Sequence, residues 1–156
     1  MLEKRKVLEA CIKICEEKIE NLKQSLESTQ RSAVDAVSSR VSWSDTSKFQ
    51  LSNLALGIER RIIEARLALS YLQYVGLIFT DTICMGALFG LRDVNSGKIN
   101  HYLLIFEGGG DSFKIDDEEI MAISETAPLA QAVMGKRKGD RVTNRRGRTF
   151  EIIEVQ

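Results

Sequence analysis

Few residues in this 156-residue chain are of a type that does chemistry unaided. The thiols are Cys11, Cys15 and Cys84, and the single imidazole is His101. Cys11 and Cys15 stand four apart on a stretch that reads as helix, where side chains diverge from disulfide geometry. With its one histidine far off in sequence, a zinc site lacks ligands, so the thiols are expected to be reduced packing residues. No Ser/His/Asp or Cys/His nucleophile is expected either, because His101 lies in an alternating, strand-like segment and nothing marks a serine as activated. Gly108-Gly109-Gly110 invites a phosphate-loop reading, but no GK[ST] ending follows it. Asp111 and the acidic run Asp116 to Glu119 would also repel phosphate, so a flexible hairpin loop is the better expectation. The acidic run lacks the glycine-punctuated ligand pattern of a calcium loop. It reads as solvated turn surface, as does the basic cluster Lys136, Arg137, Lys138, Arg141, Arg145, Arg146 and Arg148 around Asp140. The functional alternative for the basic turn is contact with an acidic partner or RNA. No metal site and no catalytic centre of the chain's own is expected.

What must position any working residue is a long helical pair. Residues 2 to about 40 contain no glycine or proline. Leu8, Ile12, Cys15, Ile19, Leu22, Leu26, Thr29, Ala33 and Ala36 recur at alternating steps of four and three, a heptad seam facing one partner. Small polar residues from Ser38 to Ser44, with an isolated Trp43, break the rhythm. A second seam follows through Leu51, Ala55, Ile58, Ile62, Ala65, Leu69 and Leu72. Two seams joined by a short polar turn predict an antiparallel coiled-coil hairpin over 1–75. At about 1.5 Å per residue the first arm would run roughly 50–60 Å, too long to pack inside a small globule.

From Gly76 the composition changes to alternating Val, Ile, Leu and Phe punctuated by glycine. Asn95-Ser96-Gly97 separates two strand-like runs, Ala87 to Val94 and Ile99 to Phe106, which predicts a β-hairpin. Thr126-Ala127-Pro128 opens a short helix through about Met134, with proline in the first turn and Gly135 as its C-terminal cap. Arg141 to Asn144 and Arg148 to Val155 form another hairpin around Arg145-Arg146-Gly147. The fold class is therefore α+β, with a small antiparallel sheet and one short helix over 76–156. Composition sets the remaining bounds. Hydrophobic content of 44% with 28% charged residues is ordinary for a soluble globular protein. The formal net charge is zero, so no global field favours nucleic acid or membrane. Glutamates throughout the N-terminal segment argue against a signal peptide, and no stretch reaches the roughly 18 apolar residues of a membrane span. A cytoplasmic protein is expected.

The C-terminal segment Ala127, Pro128, Leu129, Ala130, Val133, Gly135, Gly139, Asp140, Val142, Phe150, Ile152 and Val155, set behind a helical hairpin, resembles the Gre family of bacterial transcript-cleavage factors, in its Bacteroidetes-type branch. The resemblance covers essentially the whole chain. It implies an FKBP-like C-terminal domain that docks on the rim of RNA polymerase and a coiled coil that enters the polymerase secondary channel. Carried over, Thr126, Ala127, Pro128 and Leu129 lie at the docking surface, with Thr126 where many members have an acid. Family members present two acidic side chains three residues apart at the hairpin tip, which help hold a second magnesium ion. Such a loosely held metal wants extra carboxylate oxygens.

Counting back from Ile58-Glu59 without gaps, Lys48-Phe49-Gln50 falls on the lysine-aromatic-glutamate of that branch. Ser47 and Gln50 then occupy the two acidic positions, and both are neutral. The nearest carboxylate is Asp45, and three residues beyond it stands Lys48, whose charge opposes a cation. The reading this favours is an accessory factor, not itself an enzyme, that binds RNA polymerase through the secondary channel and regulates transcription without strong cleavage stimulation. It needs no cofactor of its own beyond the magnesium of the polymerase active centre, and indirect contact with nascent RNA is possible. Two other readings stay open: a cleavage-active elongation factor in which Asp45 is the catalytic acid, and a coiled-coil interaction protein with another partner. Trp43 and Phe49 favour a contact role for the tip, since exposed aromatics often anchor partners. The oligomeric state is open, because a heptad seam pairs between chains as well as within one.

Overall fold

The computed structural model describes residues 3–38, 44–75, 78–106 and 108–156. Helix α1 runs Lys4–Ser38 and α2 runs Ser44–Val75, so the polar stretch that breaks both seams separates the two arms. Burial follows the heptads. In α1, Leu8 and Ile19 are buried and Ile12, Cys15, Leu22, Leu26, Thr29 and Ala33 are half-buried. In α2, Ile58, Ile62 and Leu72 are buried, with Leu51, Ala55, Ala65 and Leu69 half-buried between solvent-facing neighbours. No helix among the described residues is long and apolar enough to cross a membrane.

Among the described residues six strands follow: β1 Leu88–Asp93, β2 Ile99–Ile105, β3 Ser112–Ile115, β4 Glu118–Ser124, β5 Arg141–Thr143 and β6 Thr149–Val155, with α3 at Pro128–Val133 between β4 and β5. Their order across the sheet is β3-β4-β2-β1-β6-β5. The expected α+β architecture, a helical hairpin followed by a small sheet with one short helix, is present. Its sheet is not wholly antiparallel: β2 and β4 pair in parallel, His101 opposite Ile120 and Leu103 opposite Ala122. The cause is a hairpin that the charges conceal. The chain leaves β2, passes beyond the place of β4, and runs back along the sheet edge as β3. It then turns at Asp116-Asp117 to thread β4 between β3 and β2. Both aspartates have positive φ, 49° and 67°, as a two-residue turn matching strand twist requires. The acidic run is thus a turn and the start of β4, not a surface loop alone.

The glycine triplet is an exposed connection between β2 and β3, and within it Gly109 alone is closely packed. A Cβ on Gly109 would sit 2.4 Å from the backbone nitrogen of Ser124, and the Gly110 N–H donates to the Ala122 carbonyl at 2.7 Å. Gly109→Ala should therefore cost about 1–3 kcal/mol, as overpacking against a backbone does. Gly108→Ala meets no neighbour within 4 Å, although its φ of 78° still favours glycine. Parallel urea melts of the two variants check this, and a Gly109→Ala midpoint equal to wild type would refute the close packing.

The sheet is covered on both faces. On one, Leu88, Leu103, Ile105, Ile120 and Ala122 meet Val7, Leu8, Cys11 and Leu72 from the base of the hairpin. On the other, Phe89, Leu91, Leu104 and Ile152 meet Ala130 and Val133 of α3. Lys4 is fully buried where α1 begins. Its Nζ donates to the carbonyls of Ile78 at 2.6 Å and Gln156 at 3.1 Å and lies 5.2 Å from the Phe79 ring centre. One side chain thereby ties the first helical turn to the segment after α2 and to the end of the sheet.

The β1–β2 turn is organised by Asp93, whose Oδ1 accepts from the backbone N–H groups of Asn95 at 2.9 Å and Ser96 at 3.0 Å. These bonds, that from Ser96 foremost, hold its carboxyl below the usual aspartate value of 3.8. A depressed folded pKa stabilises at pH above the unfolded value, and the contribution is lost as pH falls from about 3.8 through the folded value. Asp93→Asn keeps an accepting oxygen but cannot titrate. Its acid unfolding profile should be flatter than wild type in that window, as circular dichroism against pH would record.

Candidate functional site

The hairpin tip is built by the start of α2. Ser47, Lys48, Phe49 and Gln50 fall within its first two turns, all exposed, with Phe49 at 68%. Ser47 and Gln50, three apart on a helix, share a face. Trp43 lies outside the described residues. Asp45 belongs to α2 by its backbone, and its side chain is likewise outside what is described. The donor set fits a magnesium ion poorly. A hydroxyl and a primary amide offer neutral oxygens, and the Lys48 ammonium stands between them in sequence, whereas a hard divalent cation favours carboxylates. Among the described residues no group of three His, Cys, Asp or Glu side chains could hold a metal.

The tip is held away from the sheet. Lys18 bonds to Asp111 at 3.1 Å and Lys6 approaches Asp116 at 3.8 Å, exposed pairs that register the hairpin base without adding much stability. From Lys18 to Ser38 the arm runs on for about 30 Å. Cys11, Cys15 and Cys84 are free thiols. The Cys15 thiol beside it, with burial adding to the effect, pushes the Cys11 thiol up, whereas the Cys11 thiol pulls the Cys15 thiol down against the opposing effect of burial. Neither Cys11 nor Cys15 is joined in a disulfide, in keeping with what their spacing leads one to expect. They pack at the hairpin–sheet junction, away from the tip.

The second candidate region surrounds Pro128. Ala127 is extended and caps α3 without a side-chain hydrogen bond, and Pro128 occupies the first turn, where its missing N–H leaves nothing unsatisfied. Thr126 and Pro128 are exposed, Ala127 and Leu129 half-buried, and the Thr126 hydroxyl lies 3.0 Å from that of Ser124. Pro128 and Leu129 line a groove of about 570 Å³. Tyr102, Val142, Phe150, Arg145 and Arg146 also line it. Tyr102 is braced by stacking on Phe89 at 5.5 Å between ring centres, and burial raises its phenol pKa. Asn144 fixes the basic turn, its Oδ1 accepting from the backbone N–H groups of Arg146 at 2.9 Å and Arg148 at 3.0 Å. The basic turn and the proline segment, separate in sequence, thus border one groove. The cue available in sequence was the Arg145-Arg146-Gly147 turn, but nothing there pairs it with Pro128.

The fold and these two regions define an α+β protein that presents a helical-hairpin tip at one end and a basic, apolar-lined groove on its sheet domain. In sequence the chain is similar to transcription elongation factors of the Gre type. It is 34% identical over 98 residues to the transcription elongation factor GreA of Desulfovibrio desulfuricans, spanning 61% of this chain and 57% of that one. It is 35% identical over 89 residues to GreA of Ralstonia nicotianae, spanning 55% and 52%. The matched region is about half the length of these curated relatives. No protein-family model matches the chain. Among solved structures, Gfh1, the GreA factor homolog 1 of Thermus thermophilus, overlaps with a TM-score of 0.38 at 20% identity over 93% of this chain and 94% of that one. The GreA/GreB factor of Nitrosomonas europaea overlaps with a TM-score of 0.38 at 20% identity over 59% and 78%. The likeness to Gre factors seen in the residues is thus met by the curated relatives, and neither relative bears on the Bacteroidetes-type branch.

Proposed function

We propose that this protein is a cytoplasmic accessory factor that binds RNA polymerase through the secondary channel and modulates transcription without strongly stimulating RNA cleavage. The observation that supports the reading is the neutral, exposed start of α2, where Ser47 and Gln50 lie; in this reading they take the positions of a cleavage factor's two carboxylates. The similarity to GreA elongation factors supports the choice of partner. In this reading the coiled coil fills the channel, with Phe49 and Trp43 as contact residues, and the groove beside Thr126, Ala127, Pro128 and Leu129 docks on the polymerase surface. The magnesium stays with the polymerase, and any contact with nascent RNA is indirect. RNA cleavage by backtracked elongation complexes of the cognate polymerase, measured at several magnesium concentrations, tests this. No acceleration by the protein, together with suppression of cleavage by an active Gre factor, is expected. Accelerated cleavage would overturn it and make Asp45 the leading catalytic acid.

A further inference from the structure

Helix α2 carries two apolar stripes, and the fold uses one. Phe49, Leu56, Ile63, Leu67 and Tyr74 are exposed at 68, 62, 58, 54 and 86%. At about 100° per residue they fall within roughly 40° of one another, on the side of α2 opposite the intramolecular seam. Their spacings of seven, seven, four and seven residues are those of a coiled-coil face. The intervening positions are Asn53, Arg60 and Ser70, also exposed. Scattered exposed apolar residues need no partner, but a heptad row of this length, about 38 Å from Phe49 to Tyr74, marks an interaction surface.

The row is complementary to itself when reversed. With a two-fold axis midway along it, between Arg61 and Ile62, antiparallel pairing sets Leu56 against Leu67 of a second copy and Phe49 against Tyr74. The same register sets Asn53 against Ser70, polar with polar, and Arg60 against Ile63. Arg60 is held to Glu64 at 3.0 Å, which keeps its charge off the seam while its stem covers apolar surface. The flanking positions repeat the pattern: Glu59 meets Arg66 of the other copy and Ser52 meets Gln73, each twice by symmetry. Apart from the Arg60–Ile63 layers, apolar positions, polar positions and flanking charges match in one register, so we infer that α2 is the contact helix of an antiparallel homodimer of this chain. A two-fold interface needs this kind of self-match. The dimer covers Phe49, so dimer formation and tip-first insertion into a channel exclude one another; the inference itself does not rest on the polymerase reading.

Sedimentation velocity of the full chain from low to high micromolar concentration tests it. Reversible monomer–dimer exchange is expected. Glu59→Lys and Arg66→Glu should each weaken association about tenfold, because two attractive pairs become repulsive. The double variant E59K/R66E should restore it, since the swapped charges match again. Leu67→Glu should leave a folded monomer, with helicity checked by circular dichroism, because position 67 faces solvent in the isolated chain. A monomer at every concentration would overturn the inference. So would a dimer insensitive to Leu67→Glu, or a double variant no tighter than the single ones.

Discussion

Ser47→Asp combined with Gln50→Glu should convert this protein into a cleavage-stimulating factor. Both positions are exposed on the first turns of α2, so neither change disturbs a core. The acids lie near a helix N-terminus, where negative charge is favourable. The variant would place two carboxylates on one helical face, the arrangement a loosely held divalent ion prefers. Lowering the barrier by about 1.4 kcal/mol accelerates a reaction roughly tenfold, and a gain of at least that order over wild type is expected in backtracked complexes. Lys48 opposes the metal, so adding Lys48→Ala should raise the gain further. If the double variant cleaves no faster than wild type while still competing with an active Gre factor, the tip is not placed where the chemistry occurs. The register assigned to Ser47 and Gln50 would then fall.

Lys4→Ala should be among the most destabilising single substitutions in the molecule. Truncation leaves the carbonyls of Ile78 and Gln156 without the ammonium and opens space beneath Phe79. Hydrogen bonds to charged groups contribute about 1.5–3 kcal/mol each, so with partial rehydration a loss of about 3 kcal/mol is expected. At about 2–4 °C per kcal/mol for a chain of this size, the midpoint should fall by roughly 6–12 °C. Lys4→Met keeps the stem and should recover part of that. The pH dependence gives a second readout. Burial lowers the Lys4 pKa below 10.5, with Cys84 nearby opposing the shift, so the folded state holds this proton less firmly than the unfolded chain. Stability of the wild type relative to Lys4→Met should therefore rise as pH climbs from the folded pKa to about 10.5. Thermal melts of the three proteins across that range decide it, and a loss under about 1 kcal/mol in Lys4→Ala would show that the two carbonyl contacts contribute little.

The elements that the chain reveals in advance are those whose signal is periodic and local. The two helical seams, the β1–β2 and β5–β6 hairpins, and α3 between Pro128 and Gly135 stand close to where apolar spacing and turn residues put them. The β3–β4 hairpin escaped because Asp116 to Glu119 masks its alternation. Aspartate tolerates positive φ, so a tight turn there needed no glycine. Missing that hairpin also hid the parallel β2–β4 pair and the packed backbone of Gly109, both consequences of where β4 threads. Nothing in sequence singles out Lys4, because only the fold brings the carbonyls of Ile78 and Gln156 to it.

Of the candidate site, the sequence by itself determined the chemistry of the hairpin tip: neutral oxygens at Ser47 and Gln50, a cation at Lys48 and an aromatic at Phe49. Side-chain identity settles these, and helix spacing settles their relation. Only the tertiary structure decided which distant residues share a surface. It brought Tyr102, Pro128, Arg146 and Phe150 around one groove and set the base of the hairpin on the sheet. It also left one of the two apolar stripes of α2 facing water. Periodicity tells a helix which faces are apolar. Which of those faces is used is fixed by the competition among long-range contacts for burial, and no local pattern records its outcome.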